Sequence, residues 1–193
     1  MNNENGIACE EDKYENFSGV IMWGETDGIV KNATFELYGG IFREIVFRYG
    51  TWQNGLWGSG TWCNGTWCNG TWKDGAWQDG TWKDGTWEKG TWEDGTWKDG
   101  VWDSGHWWDG MWKGGIWEDG VWVNGDWRGG VWKDGWWQGG IWQDGRWEKG
   151  DWWDGTWKSG TWEDGFWNDG TWEKGIWVSG VWEGGVRLSD EKR

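Results

Sequence analysis

Hydrophobic positions in this chain recur every fifth residue. From Trp52 to Trp182 each of these positions is Trp, through 27 consecutive units. Gly holds every fifth position from Gly50 to Gly185, and the stretch TWKDGTWEKGTWEDGTWKDG at residues 81–100 shows the pattern. The residue before Trp is mostly β-branched, as at Thr51, Thr61, Val101, Ile116, Val121, Ile141 and Ile176. Such side chains favour extended backbone. The residue after Trp is usually long and polar, as at Lys73, Glu88, Gln138 and Glu163. Of the 27 residues that precede the closing Gly of a unit, 20 are Asp, Asn or Gly. These types tolerate turns and positive φ. Each unit therefore predicts a very short strand followed by a turn that ends on Gly. A period of five fits neither the helical repeat nor a heptad, which excludes helix. A period this long and unbroken defines the architecture.

Two all-β architectures fit. In the first, a right-handed quadrilateral β-solenoid, each unit forms one side and four units make a 20-residue coil, giving about seven coils. Here the chain resembles the pentapeptide-repeat proteins over roughly residues 35–186. The resemblance implies that the central residue of each five points inward, with a small residue two positions before it also inward. Those positions are Trp82 with Gly80 and Trp87 with Gly85. Trp with Gly occupies about the volume of Phe with Ala, and volume-conserving swaps are tolerated best. At period 20 one series before Trp is uniformly β-branched: Thr61, Thr81, Val101, Val121, Ile141, Thr161 and Val181. In the second architecture, an antiparallel meander, Asp-Gly and Asn-Gly act as hairpin turns. The Gly-x-Trp-x-x-Gly spacing is similar to the core of MORN repeats, although those units are longer. A single-layer ribbon leaves one face of each indole wet. Lys89, Lys149 and Lys174 also stand where a two-residue hairpin turn wants positive φ. Both points favour the solenoid.

The frame divides the chain. Residues 1–16 read as an acidic mobile tail. Residues 17–50 read as degenerate lead-in units that cap the array, with Leu37, Phe42 and Phe47 in the Trp register. The array covers 51–186, and 187–193 form a polar tail. Within the array Trp52, Trp82, Trp102, Trp132, Trp162 and Trp182 are expected core residues. A Gly-rich composition alone suggests disorder, but the 31 Trp reverse that reading. Each ring can bury on the order of 200 Å². At roughly 25 cal/mol/Å² that is about 5 kcal/mol per ring.

The net charge of −15 argues against a nucleic-acid binder, which needs excess Lys and Arg. Residues 1–16 show no secretory signal, and no apolar run approaches membrane-spanning length. A cytoplasmic or virion-associated protein is expected. Cys9, Cys63 and Cys68 form no disulfide framework. The pair in TWCNGTWCNG has weak zinc spacing.

The sequence points to no enzyme, cofactor or metal. The single histidine, His106, has no nucleophile to serve. Asp164 and Glu163 read as solvated repeat positions. Thr is frequent before Trp up to Thr96, but the rows then break, which argues against an ice-matching plane. The Trp outside the frame carry more information. Trp108 and Trp153 follow a frame Trp and Trp136 precedes one, so a solenoid turns them outward. With Met111, Val123 and Phe166 they form the candidate interaction surface, since exposed Trp is enriched at binding sites. The reading is a non-enzymatic structural or interaction protein that presents acidic solenoid faces to a protein partner or to itself, as in a homodimer. One alternative, implied by the resemblance, is a DNA-mimicking inhibitor of a topoisomerase. The other is a phage virion or adhesive component that binds glycans.

Overall fold

The computed structural model describes residues 18–21, 25–30, 33–37, 41–47, 50–52 and 56–188, with side chains for 51, 52 and 56–188. The tail at 1–16, Trp23, Cys9 and residues 189–193 lie outside the described residues. The strands β1 (Ser18–Ile21), β2 (Glu25–Val30), β3 (Ala33–Leu37) and β4 (Ile41–Phe47) lead into β5 (Gly50–Trp52). From Leu56–Trp57 to Val186–Arg187 every unit then adds one short strand. Among the described residues all pairings are parallel, which excludes the meander for the array. Partners in the array are 15 residues apart: Trp62 pairs Trp77, which pairs Trp92, and Trp67 pairs Trp82, which pairs Trp97. The chain is an all-β parallel solenoid, and its 27 units at three per coil make nine coils.

The expected four-sided coil of 20 residues is thus corrected to a three-sided coil of 15, and about seven coils become nine. Face 1 carries the strands of Trp52, Trp67 and every third unit onward. Face 2 begins at Trp57 and face 3 at Trp62. The β-branched series read at period 20 visits all three faces in turn. The physical reason for three sides lies in what Gly does. The sequence reading made Gly a small inward partner of Trp, but the structure places it at the corner. Gly110 has φ +116°, a left-handed region that only Gly adopts freely. A Cβ there would also lie 2.5 Å from the Gly95 carbonyl oxygen of the coil below. With Gly spent on the corner, each side supplies one inward side chain, and three indoles close the layer.

The residue before the corner Gly has its own role. Its Asp or Asn carboxyl or amide oxygen accepts the following Gly N–H, for example Gly75 to Asp74 at 2.8 Å and Gly120 to Asp119 at 2.6 Å. That explains the preference for Asx at this position. Where Ser replaces it, the hydroxyl donates to a carbonyl of the coil below, as Ser104 does to Glu88 at 2.9 Å. Where Lys replaces it, Lys89 and Lys149 reach Asp74 and Asp134 of the coil below at 3.3 and 2.7 Å. Between corners, the coils are tied by the backbone ladder: Thr81 N–H donates to Gly65 and Lys83 N–H to Trp67, both at 2.8 Å.

Among the described side chains, the buried hydrophobic core is built from indoles alone. Trp52, Trp82, Trp102, Trp132 and Trp162 are fully buried, while Trp182 is only partly covered. Trp97 shows the packing. It stacks on Trp82 and Trp112 at 4.7 and 4.8 Å, and meets Trp92 and Trp102 edge to face, both at 6.0 Å. Trp122, Trp137 and Trp152 donate their indole N–H to a corner carbonyl of the next coil, at 3.1–3.2 Å. For others, such as Trp82, Trp97 and Trp112, the N–H makes no hydrogen bond. An unmade buried bond costs about 1–3 kcal/mol. Four shared ring contacts amount to two per indole, each worth about 0.5–1.5 kcal/mol beyond burial, so the two effects are of equal size. Burial itself then decides for folding.

Both ends of the array depart from the frame. β4 pairs with two successive sides, Phe42 with Trp57 and Phe47 with Trp62, so it runs through a corner. Phe42 and Phe47 hold the Trp register as expected. Leu37 does not: Phe35 pairs Trp52, because the coil between them is 17 residues long. At the other end Arg187 pairs Trp172 in the position of the next Trp. Its guanidinium lies 4.1 Å from the Trp182 ring centroid and 5.2 Å from that of Trp177, a cation–π cover over the last layer.

Candidate binding face

A period of 15 sorts the outward residues into rows about 4.8 Å apart along each face. On face 1 the row after Trp reads Lys83, Lys98, Lys113, Arg128, Gln143, Lys158. On face 2 it reads Glu88, Asp103, Glu118, Lys133, Glu148, Glu163. The negative charge is therefore not spread evenly: one face carries a basic line and another a mostly acidic one. Face 2 is neutralised partly from within. Lys133 bonds Glu118 at 2.9 Å, and Arg146 bonds Glu163 at 2.7 and 3.0 Å while approaching Glu148 at 3.3 Å. The hydrogen bond from Arg146 holds the Glu163 carboxyl below its usual range, and the same bond raises Arg146. Hydrogen bonds to Glu118 and Asp134 raise Lys133 and Lys149.

Face 3 differs from both. Its outward strand positions carry no Lys or Arg from Thr61 to Glu183. The row before Trp runs His106, Val121, Trp136, Asp151, Phe166, Val181, and the row after Trp runs Trp108, Val123, Gln138, Trp153, Asn168, Glu183. Four rings stand about half-exposed here: Trp108 at 51%, Trp136 at 56%, Trp153 at 54% and Phe166 at 52%. They alternate between the two rows. Adjacent rings among Trp136, Trp153 and Phe166 differ by one coil along the axis and by about 6.6 Å across the strand. Between them lie two shallow open depressions. One, of about 430 Å³, is lined by Trp136, Gln138, Asp151 and Trp153. The other, of about 530 Å³, adds Phe166, Asn168 and Glu183 to Asp151 and Trp153.

No family model, curated protein or solved structure matches this chain. The case for a site therefore rests on its geometry.

Five of the six residues of the candidate surface fall on face 3: Trp108, Val123, Trp136, Trp153 and Phe166. Met111 does not; it pairs Thr96 and Asp126 on face 1, around a corner. The five-residue frame leaves side assignment open, which is why Met111 was grouped with them. Cys63 lies on face 3 and Cys68 on face 1, so TWCNGTWCNG brings no thiol pair together. His106 is exposed beside Trp108. Sequence reasoning missed Asp151, Gln138 and Asn168, the polar groups between the rings. Asp151 stands where β-branched residues dominate, and that was the available signal.

Proposed function

We propose that this protein is a non-enzymatic binding scaffold whose rigid solenoid presents face 3 to a ligand. One observation carries the reading: four half-exposed aromatic rings, spread over almost 60 residues of sequence from Trp108 to Phe166, converge on one side of the coil. An exposed aromatic surface of this kind marks interaction sites. Strand backbone tied on both sides by neighbouring coils holds the rings in place, so little ordering is needed on binding. The DNA-mimic alternative draws on the net charge of −15. The basic line from Lys83 to Arg128 and the internal pairing of face 2 favour it less.

The test passes an extract of cells and envelopes over immobilised wild-type protein and over a Trp108→Gln, Trp136→Thr, Trp153→Gln variant. These replacements use residue types the array already carries at the same positions. At least one component retained by the wild type and lost by the variant is expected. Equal retention of every component contradicts the reading.

A further inference from the structure

Resting on the binding-face reading, we infer that the ligand of face 3 is a neutral polysaccharide lying along the solenoid axis across Trp136, Trp153 and Phe166. The arrangement of polar groups distinguishes this ligand from a protein. In successive coils the two rows read Trp136 with Gln138, Asp151 with Trp153, and Phe166 with Asn168. Each ring is flanked, along the strand and along the row, by an amide or a carboxylate. Protein hot spots instead gather their apolar groups at a centre and place polar groups at the rim. A pyranose ring presents an apolar C–H face and a girdle of hydroxyls at every residue. It needs an aromatic platform and hydrogen-bonding groups side by side, repeated along the chain, and face 3 supplies that alternation.

Three further observations agree. Neither the Asp151 carboxylate nor the Gln138 amide makes a hydrogen bond or ion pair within the described residues, so both can meet hydroxyls. Asn168 donates its amide to the Trp152 carbonyl at 3.0 Å, which orients its oxygen as an acceptor. Charge sets the class of sugar. The outward strand positions of face 3 lack Lys and Arg but include Asp151 and Glu183, a poor match for sulfated, uronic or phosphorylated chains. The row of cations that such chains require lines face 1 instead, and Lys149, at the corner beside Asp151 and Phe166, is paired with Asp134 at 2.7 Å. Finally, the two depressions are open to solvent and adjoin, sharing Asp151 and Trp153 as lining. Small-molecule sites enclose most of their ligand, whereas a chain that continues past the site needs open ends.

The test is affinity electrophoresis of the full chain through gels holding single polysaccharides: neutral glucans, mannans, galactans and xylans, with alginate and heparin as anionic counterparts. Retardation by at least one neutral polysaccharide is expected. Trp136→Thr or Trp153→Gln is expected to weaken it about tenfold, the loss of one ring contact, and Lys98→Gln on face 1 to leave it unchanged. An unchanged unfolding midpoint in each variant confirms that the array is intact. No retardation by any neutral polysaccharide, or retardation by anionic ones alone that Lys98→Gln abolishes, overturns the inference. If a protein is instead retained in a Trp136- and Trp153-dependent way, the polysaccharide inference fails while the binding-face reading stands. If these substitutions change the retention of nothing, both fail.

Discussion

Two residue types make this molecule, and each is used for a property that no other residue combines. Trp gives the largest flat apolar ring, so three per layer close a core without help. Gly gives a backbone that turns through positive φ and lets the corner of one coil rest on the corner below. The corner demand can be tested against a glycine that does not share it. Gly114 precedes a corner Gly, and a Cβ there would sit 3.5 Å from the Lys98 carbonyl oxygen, an ordinary contact. Gly110 has φ +116° and would bring its Cβ within 2.5 Å of the Gly95 oxygen. In denaturant unfolding, Gly110→Ala is expected to cost at least about 1–3 kcal/mol, and Gly114→Ala to fall within about 0.5 kcal/mol of the wild type. Equal effects contradict the assignment. The array was legible at this scale because each unit repeats the same two demands. The reason for Gly was not legible, since a small inward residue and a corner residue leave the same letter.

A single strand of two residues pairs only with its neighbours above and below, so the faces are the working elements. Their side chains interact chiefly within one face, at separations of 15 or 17 residues, as in Lys133 with Glu118 and Arg146 with Glu163. These pairs are solvent-exposed and screened by salt, so they tune the faces more than they stabilise the fold. Glu163 still reports its pairing. Its folded-state pKa is held below the ordinary carboxylate value. Its contribution is therefore complete above the unfolded-state pKa and is lost as the pH falls through the lowered one. Carboxyl-carbon titration by NMR is expected to place the Glu163 midpoint below the usual glutamate range, and Arg146→Ala to raise it towards that range. A midpoint that Arg146→Ala leaves unmoved contradicts the pairing. The charge rows were the sequence signal for coil size. Lys83, Lys98, Lys113 and Arg128 recur at 15, as do Glu88, Asp103 and Glu118, whereas β-branched residues precede Trp in two thirds of all units, on every face, so a series of them at period 20 cannot discriminate.

The whole molecule is a stack of quasi-identical layers, and such a stack draws its stability from neighbouring coils. Nine coils at about 4.8 Å make an array roughly 43 Å long, with face 3 running its length. Fold class was legible because the Trp and Gly frame admits few closed structures. The inward frame Trp and the outward Trp108, Trp136 and Trp153 followed from register alone. The grouping of Met111 and the omission of Asp151 share one cause: which side a unit occupies depends on the number of units per coil, and no single unit encodes that number. The central claim is a division of labour, with frame indoles as core and the exceptions as surface. Oxidation of the native protein with N-bromosuccinimide, mapped by peptide mass spectrometry, tests it directly. Trp108, Trp136 and Trp153 are expected to react first, followed by the partly covered Trp177 and Trp182, while Trp52 through Trp172 of the frame stay protected until the chain unfolds. Oxidation of Trp107, Trp137 or Trp152 at the rate of their outward neighbours would contradict the account.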